Sequence, residues 1–316
     1  MKKLNNKILI IVLLVLAAVF VFSRIFRASS REGNLPKELV SVDTASVTEI
    51  KIYPSSEKNK EIRLVREGKK WSAKMESRSA DAELGSVLSA LNNFIHLKPL
   101  RLVSKKKAKW SEFHVGDTST RVKLFKDNEV LADLRVGKIG FSQQPGQQQF
   151  TADGVFTYVR LSDQDEVYTV QGFLESSFNR SYNDWRDKSF LRVRQEQVTK
   201  ITFTYPADSG FVVEKRDKKW WVNNTEADSV KVKGYIAQLA FKNASDFADD
   251  FHPNGNSQAV IQINSSAGSL ATIQAWKRIT DWAVNSTHQS KVYFSSKGLE
   301  SVLEKKKHFL PEAKKK

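Results

Sequence analysis

Val47-Thr48-Glu49-Ile50-Lys51-Ile52-Tyr53-Pro54 resembles Val198-Thr199-Lys200-Ile201-Thr202-Phe203-Thr204-Tyr205-Pro206. Both stretches alternate apolar and polar residues, the pattern of a half-buried strand. The likeness continues. Ile62-Arg63-Leu64-Val65-Arg66-Glu67-Gly68-Lys69-Lys70-Trp71 answers to Val212-Val213-Glu214-Lys215-Arg216-Asp217-Lys218-Lys219-Trp220. Each reads as a hairpin whose second strand opens at the tryptophan. Leu84, Val87, Leu88 and Leu91, and likewise Val232, Tyr235, Ile236 and Leu239, then show the spacing of an amphipathic helix. Asp81 and Ser229 precede them as candidate N-caps. A duplication explains these coincidences together.

The second halves correspond more loosely. Arg121–Phe125, Val130–Val136, Tyr158–Leu161 and Val167–Val170 read as four strands. Ala259–Ile263, Ala271–Trp276, Trp282–Ser286 and Val292–Ser295 read as four more. Leu174-Glu175-Ser176 and Leu299-Glu300-Ser301 each mark a short terminal helix. The shared order of hairpin, helix, β-meander and short helix predicts an α+β fold. Two tandem, mainly antiparallel β-rich repeats are expected, at 40–192 and 193–310.

Ahead of the repeats, Ile8 to Phe22 is uninterrupted apolar sequence, preceded by Lys2, Lys3 and Lys7. With Arg24 snorkelling, Ile8–Phe26 is long enough to span a bilayer. A single N-terminal transmembrane helix is expected within residues 1–28, followed by a linker at 29–39. A cleaved signal is the competing reading, since Ala28 and Ser30 have small-x-small spacing; Arg24 and Arg27 disfavour it. The expected location is the bacterial inner (cytoplasmic) membrane, single-pass, with the bulk of the chain extracytoplasmic and membrane lipid contacted through the N-terminal helix.

The 316 residues carry a formal charge of +16 and no cysteine. Residues 1–31 hold six positive charges, and 305–316 hold six lysines against Glu312. The body between is therefore only mildly basic, which argues against nucleic acid as a partner. Lys98, Arg101, Lys105, Lys106, Lys107 and Lys109 form one internal basic cluster, read as a solvated loop or as a patch facing an anionic partner. The basic tail at 311–316 reads as a solubilising end. Ser142–Gln149 reads as a glutamine-rich loop. Lack of cysteine excludes disulfides, thiolate metal sites and a cysteine nucleophile.

No catalytic signature is present. There is no phosphate loop, no nucleophile elbow and no paired-histidine metal helix. His252 after Asp249 and Asp250 reads as a loop histidine beside solvated acids. Asp163, Asp165 and Glu166 read as a polar turn. Asp184-Trp185-Arg186-Asp187-Lys188 reads as an ion-pair network at the join of the repeats. Trp71 and Trp220 occupy equivalent positions and are expected in the core; Trp221, Trp276 and Trp282 belong to the second copy alone and are candidates for stacking on sugars. The chain is accordingly expected not to be an enzyme, with no catalytic, cofactor-binding or metal residues and no cofactor.

Lys69-Lys70-Trp71, Asp81–Leu91, Val130–Gly137, Tyr158-Val159-Arg160, Val167-Tyr168 and Trp185-Arg186-Asp187-Lys188 together resemble the family of domain of unknown function 4340. The resemblance runs from about Val40 to Leu310. It implies a context: membrane-anchored proteins associated with ABC transport systems of the gliding-motility type. A permease and an auxiliary extracytoplasmic subunit are the implied partners. The expected function is a non-catalytic, membrane-anchored extracytoplasmic accessory subunit that holds a protein partner or presents substrate. The alternative is a cell-envelope scaffold that binds peptidoglycan or polysaccharide. A hydrolase using the acidic clusters is the third class weighed.

Overall fold

A computed structural model of the chain describes Leu16 and residues 35–142, 154–207 and 209–312. The apolar run, the start of the linker, almost all of the glutamine-rich loop and Lys314–Lys316 of the tail lie outside the described residues, Leu16 excepted. The chain divides into two compact units, Met1–Trp185 and Arg186–Lys316.

Unit 1 begins with β1 (Glu49–Tyr53), β2 (Ile62–Glu67), β3 (Lys70–Met75) and β4 (Arg78–Asp81). Helix α1 (Leu84–Asn92), β5 (Pro99–Ser104) and the single turn α2 (Trp110–Phe113) follow. Then come β6 (Thr120–Lys126), β7 (Glu129–Phe141), β8 (Val155–Leu161), β9 (Val167–Gln171) and α3 (Leu174–Phe178). The strands form one nine-stranded sheet in the order β4-β3-β2-β1-β6-β7-β8-β9-β5, antiparallel throughout.

Unit 2 opens with β10 (Ser189–Arg192), then β11 (Lys200–Thr204), β12 (Phe211–Arg216), β13 (Lys219–Val222) and β14 (Thr225–Glu226). Helix α4 (Ser229–Ala240) and β15 (Phe241–Asn243) follow, then β16 (Ala259–Ser265), β17 (Gly268–Lys277), β18 (Trp282–Ser286) and β19 (Phe294–Ser295). Its eight-stranded sheet runs β14-β13-β12-β11-β16-β17-β18-β19, the order of the first eight strands of the unit 1 sheet, without a ninth at the β19 edge. The β10–β15 ribbon of unit 2 has its counterpart in the Val40–Leu97 bridge of unit 1.

Strands make up 42% and helices 20% of the structure, so the fold is mostly β-sheet, not the α+β chain with a leading transmembrane helix that the sequence suggests. Among the described residues no helix is long and apolar enough to cross a membrane. The physical reason for the low helix content is that the buried sheet face of each unit is covered by one helix of nine or twelve residues with only short segments beside it. The short terminal helix expected in unit 1 is α3, with a 3-10 turn at Tyr182–Asp184 after it, whereas in unit 2 it is replaced by 3-10 turns at Glu300–Val302 and Lys306–Phe309.

Alternation puts Ile50, Ile52, Ile62, Leu64, Val122, Leu124, Leu134 and Val136 on the buried face of the first sheet. Ile201, Phe203, Phe211, Val213, Ile261, Ile263 and Ile273 do the same in the second. In unit 2 the helix covers this face with the stripe the sequence suggests, whereas in unit 1 it does so in a register three residues away from the expected one. Val87, Ala90, Leu91 and then Phe94 are buried in unit 1, matching Val232, Tyr235, Ile236 and Leu239 in unit 2. Leu84 and Leu88 are 47% and 45% exposed. The N-caps of both helices differ from those expected. Glu83 accepts from Gly85 N and Ser86 N at 3.1 and 2.5 Å, and Asp228 from Val230 N and Lys231 N at 2.9 and 3.2 Å. Asp81 belongs to β4, and Ser229 is already the first helical residue. Both stripes have helical spacing and share Val87 and Leu91, so periodicity alone cannot separate them.

The same cap residues close each unit. Glu83 N donates to Trp185 O at 2.8 Å, and Asp228 N to Phe309 O at 2.9 Å. One residue earlier, Ala82 N donates to Trp71 O and Ala227 N to Trp220 O, both at 2.8 Å. Trp71, Trp185, Trp220 and Phe309 are all buried. Trp185 is therefore core rather than part of a charged join.

The outer face of the first sheet carries a row of cations. Tyr53 pairs with Arg121, Arg121 with Arg135, and Arg135 with Arg160 across adjacent strands. Like charges so placed repel, and each is answered separately. Arg121 donates two hydrogen bonds to Asp133 at 2.8 and 2.6 Å, with Lys123 3.3 Å from the same carboxylate. Arg135 donates to Asp117 O at 2.8 Å. Arg160, 2% exposed, donates to the carbonyls of Val115, Leu161, Ser162 and Gln164 and lies 3.6 Å from the Trp110 ring centre. The turn holding Asp163 and Asp165 is thus a carbonyl cradle for a buried guanidinium.

Two outcomes follow. Leu91→Ala should cost about 2–5 kcal/mol in urea unfolding, whereas Leu88→Ala should cost about 0.5 kcal/mol or less; the reverse ranking would restore the other helix register. Burial raises the Asp133 carboxyl, but hydrogen bonds from Arg121 and Ser162 and the charges of Arg121 and Lys123 outweigh it, leaving the carboxyl below the ordinary range. Its contribution is therefore full above the unfolded value of about 3.9 and is lost as pH falls below it. Asp133→Asn should cost about 1–3 kcal/mol at neutral pH, with a gap to the wild type that narrows when unfolding is repeated near pH 3.

Candidate functional site

Each unit has a concavity at the same corner of its sheet. In unit 1, Thr120 opens β6 opposite Val136 of β7; in unit 2, Ala259 opens β16 opposite Ala275 of β17. Two residues beyond these partners stand Lys138 and Lys277. All of Thr120, Val136 and Lys138 line a cleft of about 650 Å³, together with Ser55 after β1 and Glu175 on α3. Ala259 and Lys277 line a pocket of about 700 Å³, together with Pro206 after β11 and Leu303 on the terminal segment. Both volumes are within the roughly 300–1,000 Å³ usual for small-molecule sites. The duplication has therefore produced two corresponding pockets, and their linings have diverged.

The unit 1 cleft is polar. Ser111, His114, Thr118 and Ser119 add hydroxyls and an imidazole to its walls. Gly137 is required there, because a Cβ would come within 2.3 Å of Phe113 O and 2.6 Å of Val115 Cγ1. In unit 2 the corresponding residue is Trp276, buried, with its indole N–H donated to Gly255 O at 3.2 Å. Lys138 lies 5.7 Å from the Tyr158 ring centre and 6.0 Å from that of Phe113, a cation over two aromatic faces.

The unit 2 pocket has an aromatic and aliphatic lining, Tyr205, Phe211, Trp282 and Leu303, beneath Lys277, Lys305, Lys306 and Lys307. Phe211 is fixed by neighbours: it stacks on Phe203 at 4.3 Å and meets Phe309 at 5.8 Å. Tyr205 donates to Glu304 O at 2.9 Å. Burial, with the Glu304 charge adding, pushes its phenol upward, so it stays neutral at physiological pH. Tyr235 donates to Val302 O at 2.8 Å, and Lys231 Nζ to Leu310 O at 3.2 Å. With the Asp228–Phe309 bond, these hold the segment that bears the three consecutive lysines. Among the described residues no carboxylate lies within 4.0 Å of Lys277, Lys305, Lys306 or Lys307; the nearby Glu304 is engaged with His308 Nδ1 at 3.5 Å.

The residues singled out in the sequence have varied places. Trp282 is half-buried and lines the pocket; Trp221 is half-buried with Arg216 at 5.9 Å and lies outside its lining. Asp249 accepts two hydrogen bonds from Arg186, at 2.7 and 2.8 Å, and Arg186 lies 3.4 Å from the Phe247 ring centre. Asp250 lies 3.3 Å from Arg278, and His252 is exposed. Among the described residues no group of three potential ligands could hold a metal ion. The cluster from Lys98 to Lys109 is exposed, with Lys109 paired to Glu112 at 2.6 Å and Lys107 5.0 Å from the Trp110 ring centre. Sequence reasoning did not find Tyr205, Phe211 or Lys277 as site residues. The available signal was Tyr205-Pro206, where the second copy has one residue more than Tyr53-Pro54.

A family model described as Domain of unknown function (DUF4340) matches residues 76–260, from the β3–β4 turn to the second residue of β16. No curated protein and no solved structure matches the chain. With more than half of its length covered, and with both units represented in the matched stretch, the chain belongs to the DUF4340 family.

Proposed function

We propose that the protein is a non-catalytic, extracytoplasmic accessory subunit of an envelope ABC-type transport system, which binds a ligand or holds a partner subunit. The observation that carries this reading is the chemistry of the unit 2 pocket. Its aromatic faces, aliphatic walls and ammonium groups are groups that hold a molecule in place. The terminal segment that supplies its lysines is pinned at Val302, Glu304, Phe309 and Leu310. Less ordering is then needed on binding. The apolar run at 8–22 with its preceding lysines supports an address at the bacterial cytoplasmic membrane, with both units outside the cytoplasm. Family resemblance supplies the transport setting, with a permease and an auxiliary extracytoplasmic subunit as partners.

A glycan-binding scaffold of the cell envelope is the second reading. It is favoured by Trp282 and Tyr205 in one pocket wall, since indole and phenol faces stack on sugar rings.

Crosslinked pull-down of the tagged full-length protein from its own membranes separates the two. Enrichment of an ABC permease and ATPase is the expected outcome. Recovery of wall-synthesis proteins or glycan, with no transporter component, would replace this reading by the scaffold.

A further inference from the structure

We propose that the unit 2 pocket binds an anionic amphiphile: a molecule with an apolar body and a single phosphate or carboxylate head. This deepens the binding role proposed above and rests on it. Three observations converge. The walls are apolar, with Tyr205, Phe211, Trp282 and Leu303 offering rings and methyl groups to an alkyl or aryl body. The rim is cationic, with Lys277 ending β17 and Lys305, Lys306 and Lys307 on the terminal segment. The cations have no carboxylate within 4.0 Å among the described residues, and the Glu304 carboxylate beside Lys305 lies 3.5 Å from His308 Nδ1.

Charge complementarity selects the head. Four ammonium groups around one opening raise the local potential, and an anion relieves their mutual repulsion. Lysine suits this task as a mobile point charge with three donors and does not demand one planar geometry. The apolar lining selects the body. A bare anion would leave the aromatic floor wet, and a neutral amphiphile would leave the ammonium groups unanswered. Only a molecule with both parts satisfies the whole pocket. The corresponding cleft of unit 1 does not offer this pairing. It is lined by Ser55, Ser111, Thr118, Ser119 and His114, and its lysine is committed to the rings of Phe113 and Tyr158. The amphiphile site is thus a property of the second copy.

The test is lysine footprinting of the full-length chain by acetylation, read by mass spectrometry, with three probes at equal concentration: octyl phosphate, inorganic phosphate and octyl glucoside. Octyl phosphate should slow acetylation of Lys277, Lys305, Lys306 and Lys307 several-fold and leave Lys98 and Lys106 unchanged. Octanoate in a parallel series tells a carboxylate head from a phosphate head, and protection by either supports the proposal. Lys277→Gln, an exposed change that spares the core, should raise the octyl phosphate concentration needed for half-protection about tenfold, the order of one charge-assisted contact. Its urea transition should match the wild type. Equal protection by octyl glucoside would make the site one for neutral or glycan ligands. Equal protection by inorganic phosphate would make it a bare anion site. No protection by any probe would leave no small-ligand site here. Each of these overturns the proposal. The footprint involves no transporter component, so its failure is separable from failure of the pull-down.

Discussion

One backbone hydrogen bond, made once in each unit, holds the architecture together. The N–H of the residue that caps the long helix donates to a carbonyl of the unit's last segment: Glu83 to Trp185, and Asp228 to Phe309. A helix N-terminus leaves orphan donors, and here the cap's carboxylate answers two of them while its own N–H is answered by the chain end. The residue before it is answered by the tryptophan that opens β3 or β13. Sheet, helix and closing segment therefore meet at one point. The aromatic side chains on the closing segment, Trp185 and Phe309, are buried beside it. Losing that meeting point would expose both an aromatic core residue and unsatisfied backbone groups, which is costly in a buried setting.

This constraint explains what sequence reading recovered and what it missed. Strand alternation marked the buried faces of β1, β2, β6 and β7 and their counterparts, because period-two patterning is imposed residue by residue. The register of the unit 1 helix escaped, because two overlapping stripes satisfy a period of 3.6 and only the cap decides between them, whereas the unit 2 stripe was read correctly. That cap is a glutamate in one copy and an aspartate in the other, and its role depends on Trp185 and Phe309, about 100 and 80 residues downstream. Nothing local encodes such a partner. The balance of helix and strand was also misjudged for a local reason. The Leu-Glu-Ser segment is helical in unit 1, within α3, but in unit 2 it forms only the 3-10 turn Glu300–Val302.

The pockets were less legible still. Their existence follows from the strand order, since the corner where β6 or β16 begins is left open by the loop after β1 or β11. Their chemistry follows from substitutions at corresponding positions. Gly137 lets the backbone of Phe113 close over unit 1, whereas Trp276 in unit 2 turns its indole N–H onto Gly255. Thr120 gives way to Ala259, and Ser55 to Pro206. A duplicated scaffold thus kept its closure and changed the lining of one corner from hydroxyls to rings and methyl groups. Composition could not reveal this, because the residues concerned are far apart in the chain and unremarkable singly.

The closing segment of unit 2 joins these threads. Its inward side carries Val302 and Phe309, which complete the core, and its outward side carries Lys305, Lys306 and Lys307, which edge the pocket. Tyr205 and Tyr235 reach it from opposite elements, β11's end and α4, through phenolic hydrogen bonds to Glu304 O and Val302 O. One stretch of chain is therefore both the keystone of the fold and the rim of the site. Any molecule held by those lysines contacts the segment whose docking defines the folded unit, and binding to the folded state alone adds to its stability by mass action. Occupancy and closure are in this way a single equilibrium. Unit 1 separates the two roles: its closing segment ends in Trp185 with no comparable run of lysines, and its cleft takes its cation from β7 instead.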